Sequence, residues 1–205
     1  WLLDVRSESG GFVKLSFLHD TDAAFGFFQV STTNVSINAW HHLLITYNTT
    51  TPTTKPLIYL DGVAQAVTIA TSPTGTPLTG VGEMLYIGTG RDLARDFDGY
   101  ISGIRLYTRA LTAAEAAAHY AGTYTDETNL VGHWQLNDAS GTTATDSSGT
   151  GNDGTLSGSA AWTSNLIETI TWVADTMHKY LATSPRSFRY WRILIEGDSG
   201  NSDGY

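Results

Sequence analysis

Residues 97–122, FDGYISGIRLYTRALTAAEAAAHYAG, decide how the rest of the chain is read. The first half alternates. Tyr100, Ile104 and Leu106 fall on one face of an extended segment, and Ile101 and Tyr107 fall on the other. Large apolar groups on both faces predict one interior strand over 100–107 rather than a solvated edge. The second half is a helix with its boundaries written in. Thr112 and Glu115 have the spacing of a capping box, and Leu111 and Ala116 stand where a hydrophobic staple closes. Alanines 116–118 propagate the helix, and Gly122 is placed to end it in a left-handed turn.

Outward from this stretch the composition agrees with an all-β chain. In 205 residues, 41% are apolar, only 15% are charged and 21 are glycine, as expected for short strands joined by many turns. The net charge is −9, with 11 Lys and Arg in no cluster. Phosphate neutralisation needs a basic face, so nucleic-acid binding and an anionic membrane surface are disfavoured. There is no cysteine, hence no disulfide framework or thiolate metal site. No apolar run reaches the length of a membrane span, so membrane insertion is not expected. The chain opens WLLDVRSESG and stops at SDGY directly after a strand-like segment. The expectation is a fragment or processed piece of a longer polypeptide.

Upstream, 11–18 (GFVKLSFL) and 24–30 (AFGFFQV) read as strands, with Phe12, Phe17 and Leu18 as the apolar positions of the first. Residues 40–47 form a third strand, with Trp40, Leu44 and either Ile45 or Tyr47 expected inward. His41 and His42 are adjacent on it, so their side chains point to opposite faces and cannot share one metal ion. Residues 48–56 are a threonine-rich loop. Asn34 and Asn48 begin glycosylation sequons, which carry meaning only in a eukaryotic secretory setting. Residues 57–60 and 63–67 form a hairpin, because Asp61-Gly62 supplies the positive φ angles of a two-residue turn. A loop follows over 71–82, and 85–87 is expected to resume the sheet.

The pattern of Asp-Gly-aromatic-Ile, an alternating strand ending in Tyr, then Arg-Ala-Leu-Thr-x-x-Glu resembles the last strand and closing helix of laminin G-like domains. These belong to the concanavalin A-like jelly-roll superfamily. The resemblance runs back through 85–90 (LYIGTG), 57–63 (LIYLDGV) and 39–47 (AWHHLLITY), in the family's order, and covers much of 12–121. It implies a jelly-roll β-sandwich with one short closing helix, followed by a smaller β-rich segment. A second stretch, 129–162, resembles the opening strands of the same family as a partial copy. It is either the start of a further repeat or a piece that folds back beside the first unit. Docking is the expectation, since an unpaired sheet edge invites aggregation. The domain reading is therefore 1–124, a laminin G-like jelly roll without its opening strands, then 125–165, the partial unit, then 166–205, the start of a further β-rich module. Residues 187–196 resemble a strand of discoidin-like and phage-tail galactose-binding sandwiches.

Two acidic loops are candidates for Ca²⁺. Asp92, Asp96 and Asp98 are nearly evenly spaced between Arg91 and the strand at 100. Ser102 and Gly103 stand where the family often has a carboxylate, and Arg91 and Arg95 also suit a solvated charged loop. Asp138, Asp146, Asn152 and Asp153 are the second set, hard oxygen donors on a Gly-rich turn. Catalysis is not expected. Hydrolysis in this superfamily needs two neighbouring carboxylates on a strand, and Glu8, Glu83, Glu115, Glu127, Glu168 and Glu196 form no Glu-x-Asp pair. No Ser-His-Asp, phosphate-loop or His-Glu-x-x-His motif is present. The functional expectation is a non-catalytic adhesion or binding module for a glycan or protein ligand, within a larger surface-displayed or phage-particle protein. A purely structural repeat in a fibre, tail or shell, in contact with other domains or neighbouring subunits, is the alternative, and a relative of glycoside hydrolases is the weaker one.

Overall fold

The computed structural model describes residues 2–7, 12–30, 35–48, 54–78, 84–89, 97–163 and 192–195. The first half of the chain gives β1 (Leu2–Ser7), β2 (Phe12–His19), β3 (Gly26–Val30), β4 (Val35–Ser36), β5 (Ala39–His41) and β6 (Leu43–Thr46). It continues through β7 (Leu57–Leu60), β8 (Val63–Ala64), β9 (Val67–Thr71), β10 (Gly99–Ser102), β11 (Ile104–Tyr107) and α1 (Ala113–Tyr120). The remaining strands are β12 (Leu130–Trp134), β13 (Thr143–Ala144), β14 (Gly154–Thr155) and β15 (Arg192–Ile195).

The architecture is an all-β jelly-roll sandwich with one helix laid on its outside. One layer is the antiparallel sheet β1-β2-β3-β9, with β4 also paired to β2. The facing layer contains β6-β7-β8. Between them Val13, Leu15, Phe17, Phe28, Val30, Val35 and Ile58 are buried, joined by Leu43, Ile45, Tyr47 and Leu60. The period of two explains the choice of residues: Val13, Leu15, Phe17 and His19 are alternate positions of β2 and all turn inward. Leu18 is only half-buried, because it belongs to the other face. Tyr47 closes the core, its ring 5.2 Å from Phe17 and 6.1 Å from Phe28. Its hydroxyl lies 3.0 Å from His19 Nδ1.

The strand β6 is covered on both faces. Leu43 and Ile45 pack into the sandwich interior, while Leu44 turns outward to Tyr59, Leu111 and Ala116 beneath α1. The helix carries all its expected punctuation. Glu115 N donates to Thr112 Oγ1, and the Glu115 carboxylate receives Thr112 N at 2.8 Å, so the capping box closes in both directions. At the other end Gly122 N donates to His119 O and Thr123 N to Ala118 O, with Gly122 at φ 74°, a Schellman motif. The hairpin turn is as expected, with Asp61 at φ 50° and Gly62 at φ 78°.

Three expectations need correction. The strand over 100–107 is two strands, because Gly103 sits at φ 72° and breaks the ladder. Its halves then take different partners, β10 with β15 and β11 with β12. Residues 85–87 do not resume the sheet. Gly88 turns at φ 78° and its carbonyl accepts Phe97 N at 2.7 Å, leaving Leu85 and Ile87 42% and 41% exposed. The strand at 40–47 is interrupted at His42, and Trp40 is half-buried rather than a core anchor. Of the segment 187–196, the described part is β15, which lies between β5 and β10. The rest of the module expected over 166–205 lies outside the described residues.

Candidate functional site

A dense polar assembly lies in the turn system that follows β12, and its chemistry is organised by one carboxylate. Asp146 is 9% exposed. Its Oδ1 accepts His133 N at 2.8 Å and Ser148 N at 2.9 Å. Its Oδ2 accepts Ser148 Oγ, Thr150 Oγ1 and Asn152 N, each at 2.9 Å. Burial on its own would raise the pKa of this group. The donors from His133, Ser148 and Asn152 outweigh it and hold the carboxyl far below the usual range.

The loop so formed lies along the free edge of β12. His133 N donates to Asp146 Oδ1 while His133 O accepts Ser147 N at 2.7 Å. Val131 O accepts both Thr150 Oγ1 and Asn152 Nδ2 at 2.8 Å. The opposite edge of β12 pairs with β11, Ile104 facing Trp134 and Arg105 facing His133. Side chains and turn backbone therefore take the place of a further strand. Trp134 anchors the arrangement. Its ring is buried against Gly132, and its Nε1 donates to Asn152 O at 2.8 Å.

The four expected ligands of this region are brought near one another, the three aspartates as acceptors for their own loop and Asn152 as a donor. Asp153 Oδ1 takes Asp146 N at 2.8 Å, and Asp138 Oδ1 takes Thr145 Oγ1 at 2.6 Å. Asn152 contributes its amide hydrogens outward to Val131 O and Thr150 Oγ1. The carboxylates of Asp138, Asp146 and Asp153 thus hold the turns together in this structure. Among the described residues no three His, Cys, Asp or Glu side chains gather as a metal-holding group. Asp98 is exposed at the entry to β10, and Asp92 and Asp96 lie outside the described residues.

On the surface of the same system, Gln135 and Asn137 are exposed and linked, Asn137 Nδ2 donating to Gln135 Oε1. Gln135 Nε2 donates in turn to Ser147 Oγ at 3.3 Å. Trp162 Nε1 donates to Gly141 O at 2.8 Å. The result is a row of amides and hydroxyls on a rigid backing.

A second assembly, beneath α1, combines histidines with aromatic rings. His42 and His119 are each 4% exposed. The Tyr120 ring lies tilted against His42 at 5.9 Å, while Tyr107 and Tyr124 flank His119 at 5.7 and 4.8 Å. Burial first, then the charge His119 would carry, lowers His42 to about 4, partly offset by Asp61. Burial and then Arg105 lower His119. His41 faces away, its Nδ1 2.8 Å from Asp61 Oδ2, and Asp61 Oδ1 also accepts His42 N at 2.8 Å. The two neighbours thus have separate structural duties. Arg105 ion-pairs with Glu127 and lies 3.9 Å over the Tyr124 ring. Arg109 joins Glu115 to Asp126 and donates to Thr128 O. Both arginines fasten the connection from α1 to β12.

A family model described as the concanavalin A-like lectin/glucanases superfamily matches residues 1–117. No curated protein and no solved structure matches the chain. The matched span holds the two facing sheets, the hairpin at Asp61-Gly62 and most of the closing helix, in the order that the sandwich requires. The chain belongs to the laminin G-like family of the concanavalin A-like lectin/glucanases superfamily.

Proposed function

We propose that this chain is a non-catalytic recognition module of a larger surface-displayed or phage-particle protein, taking a glycan or protein ligand on the polar face beside β12. Laminin G-like domains bind glycans or proteins in general and are typically extracellular. Among the described residues no helix is long and apolar enough to cross a membrane. The observation that carries the proposal is the row Gln135, Asn137 and Ser147, held in place by the Asp138 and Asp146 turns. Amides and hydroxyls fixed before the ligand arrives lose little conformational freedom on binding. The carboxylates of this face, Asp138, Asp146 and Asp153, already hold their own loop. That supports recognition over hydrolysis, which requires two carboxyl groups free to face a scissile bond.

The test is a glycan array probed with the full chain and with a Gln135→Ala, Asn137→Ala double variant. Binding that is lost in the variant, with its melting temperature unchanged, supports the face. Equal binding by both refutes the location, and no glycan retained above background refutes the glycan class. Ca²⁺ stays in the proposal through Asp92, Asp96 and Asp98 and through Asp138, Asp146, Asn152 and Asp153, since both sets supply hard oxygen donors. Calorimetric titration decides this, with absence of both heat and a melting shift removing the ion.

A further inference from the structure

The strand β15 is the centre of its sheet, not an edge. It pairs antiparallel with β10, Gly99 to Ile195 through Ser102 to Arg192, and also with β5, Ala39 to Ile195 through His41 to Ile193. Without it, β5 and β10 would stand two strand spacings apart, about 9.5 Å. Each would then turn a row of backbone N–H and C=O groups into the gap. Unmade backbone pairs of this kind are costly and template the addition of a strand. The gap between β5 and β10 is thus an acceptor slot for one antiparallel strand.

The occupant is joined to the rest of the described chain by residues 164–191, 28 residues by sequence. Fully extended, that length reaches roughly 95 Å, while a domain of about 120 residues has a radius of gyration of only about 14 Å. The connection is long enough for Arg192–Ile195 to reach the slot of a neighbouring molecule as well as its own. The sequence Ile193-Leu194-Ile195 is apolar at consecutive positions, suiting a strand covered on both faces.

We propose that the β5–β10 slot accepts the 192–195 strand of a second copy of this chain, so that molecules assemble by strand exchange. Reciprocal exchange closes a two-fold dimer, and one-way exchange extends an open chain of subunits. Intramolecular filling is favoured in dilute solution, because a tether of this length holds the strand near its own slot at an effective concentration in the millimolar range. Exchange therefore grows as the protein concentration approaches that range, as it does where copies are held side by side.

The absence of cysteine permits a direct test. Trp40 and Leu194 are cross-strand partners. A Trp40→Cys chain and a Leu194→Cys chain of different tag mass are mixed over a concentration series, oxidised, and separated without reductant. A mixed disulfide dimer that rises with concentration supports exchange. A control mixture of Asp20→Cys with Leu194→Cys, whose positions are not paired, must cross-link at least tenfold less. If the Trp40→Cys, Leu194→Cys double variant cross-links only within itself while the mixture gives no dimer at any concentration, exchange is overturned. No cross-link in either format overturns the slot itself. Light scattering of the unmodified chain over the same series guards against a misfolded variant. A mass that stays monomeric to the highest concentration also overturns exchange.

Discussion

Replacing Asp146 by alanine removes the common acceptor of five hydrogen bonds, and the loss is calculable. Three donors, Ser148 Oγ, Thr150 Oγ1 and Asn152 N, lie on residues with surface access and regain water as partner. His133 N and Ser148 N lie in the half-buried seam against β12. Each loses a charge-assisted bond worth about 1.5 kcal/mol net. Asp146→Ala should therefore cost about 3 kcal/mol, or roughly 6–12 °C in melting temperature for a chain of this size. Asp146→Asn keeps one oxygen for His133 N and Ser148 N but sets an amide N–H₂ against Asn152 N, and should cost about 1–2 kcal/mol. Urea unfolding read by tryptophan fluorescence suits the case, because Trp134 Nε1 is bonded to Asn152 O inside this loop. The wild-type chain should also lose stability below about pH 4. Folded Asp146 keeps its charge to lower pH than the unfolded chain does, so the unfolded state takes up the extra proton as acid is added. The Asn variant should lack that share of the acid slope. An alanine variant within about 0.5 kcal/mol of wild type, or one more stable than the asparagine variant, would refute the reasoning.

Other outcomes follow from neighbouring parts of the fold. His42 is held neutral to about pH 4 when folded, so stability should be complete above about pH 6.5 and decline toward pH 4, by about 3 kcal/mol for a shift of this size. A His42→Phe variant should flatten that limb in a denaturant series, and an unchanged pH profile would contradict the buried environment. A Cβ at Gly132 would sit 2.3 Å from Trp134 Cη2. Gly132→Ala should thus displace the ring and cost about 2–3 kcal/mol, visible as a red-shifted emission with a lower urea midpoint. Thr112→Ala opens the capping box and should cost about 1 kcal/mol, measured as a melting shift. The eight-residue helix is too short to persist without its cap and its packing.

The sequence made α1 legible because every signal for it is local. Thr112, Leu111, Glu115 and Gly122 each act within one turn of their neighbours, and all four behave as their chemistry dictates. The Asp61-Gly62 hairpin was legible for the same reason. Gly103 was not, because a glycine among alternating apolar residues does not declare whether its φ will be positive. Residues 85–87 misled because β-forming side chains say nothing about the turn at Gly88 that follows them. β12 pairs with β11, while the division of the chain into domains is a reading of sequence. At the candidate site, composition pointed to residues that do converge, since Asp146, Asn152 and Asp153 share one turn system. Which backbone amides their oxygens accept is decided by backbone direction, which spacing does not encode. His119 went unnoticed in an alanine-rich helix. Counting three residues on from Ala116 would have placed it on the same buried face.

The dressing of β12 by its own turn has a consequence for crowding. A strand whose outward carbonyls and amide are already engaged offers nothing for a neighbouring backbone to copy. Molecules brought flank to flank on this side meet hydroxyls and amides instead of an open ladder, and slide past one another without fusing. Such a face is an insulator. In a dense array it lets subunits stand close while confining any merging of sheets to other edges, so growth acquires a direction and the row of Gln135, Asn137 and Ser147 beside β12 stays facing outward.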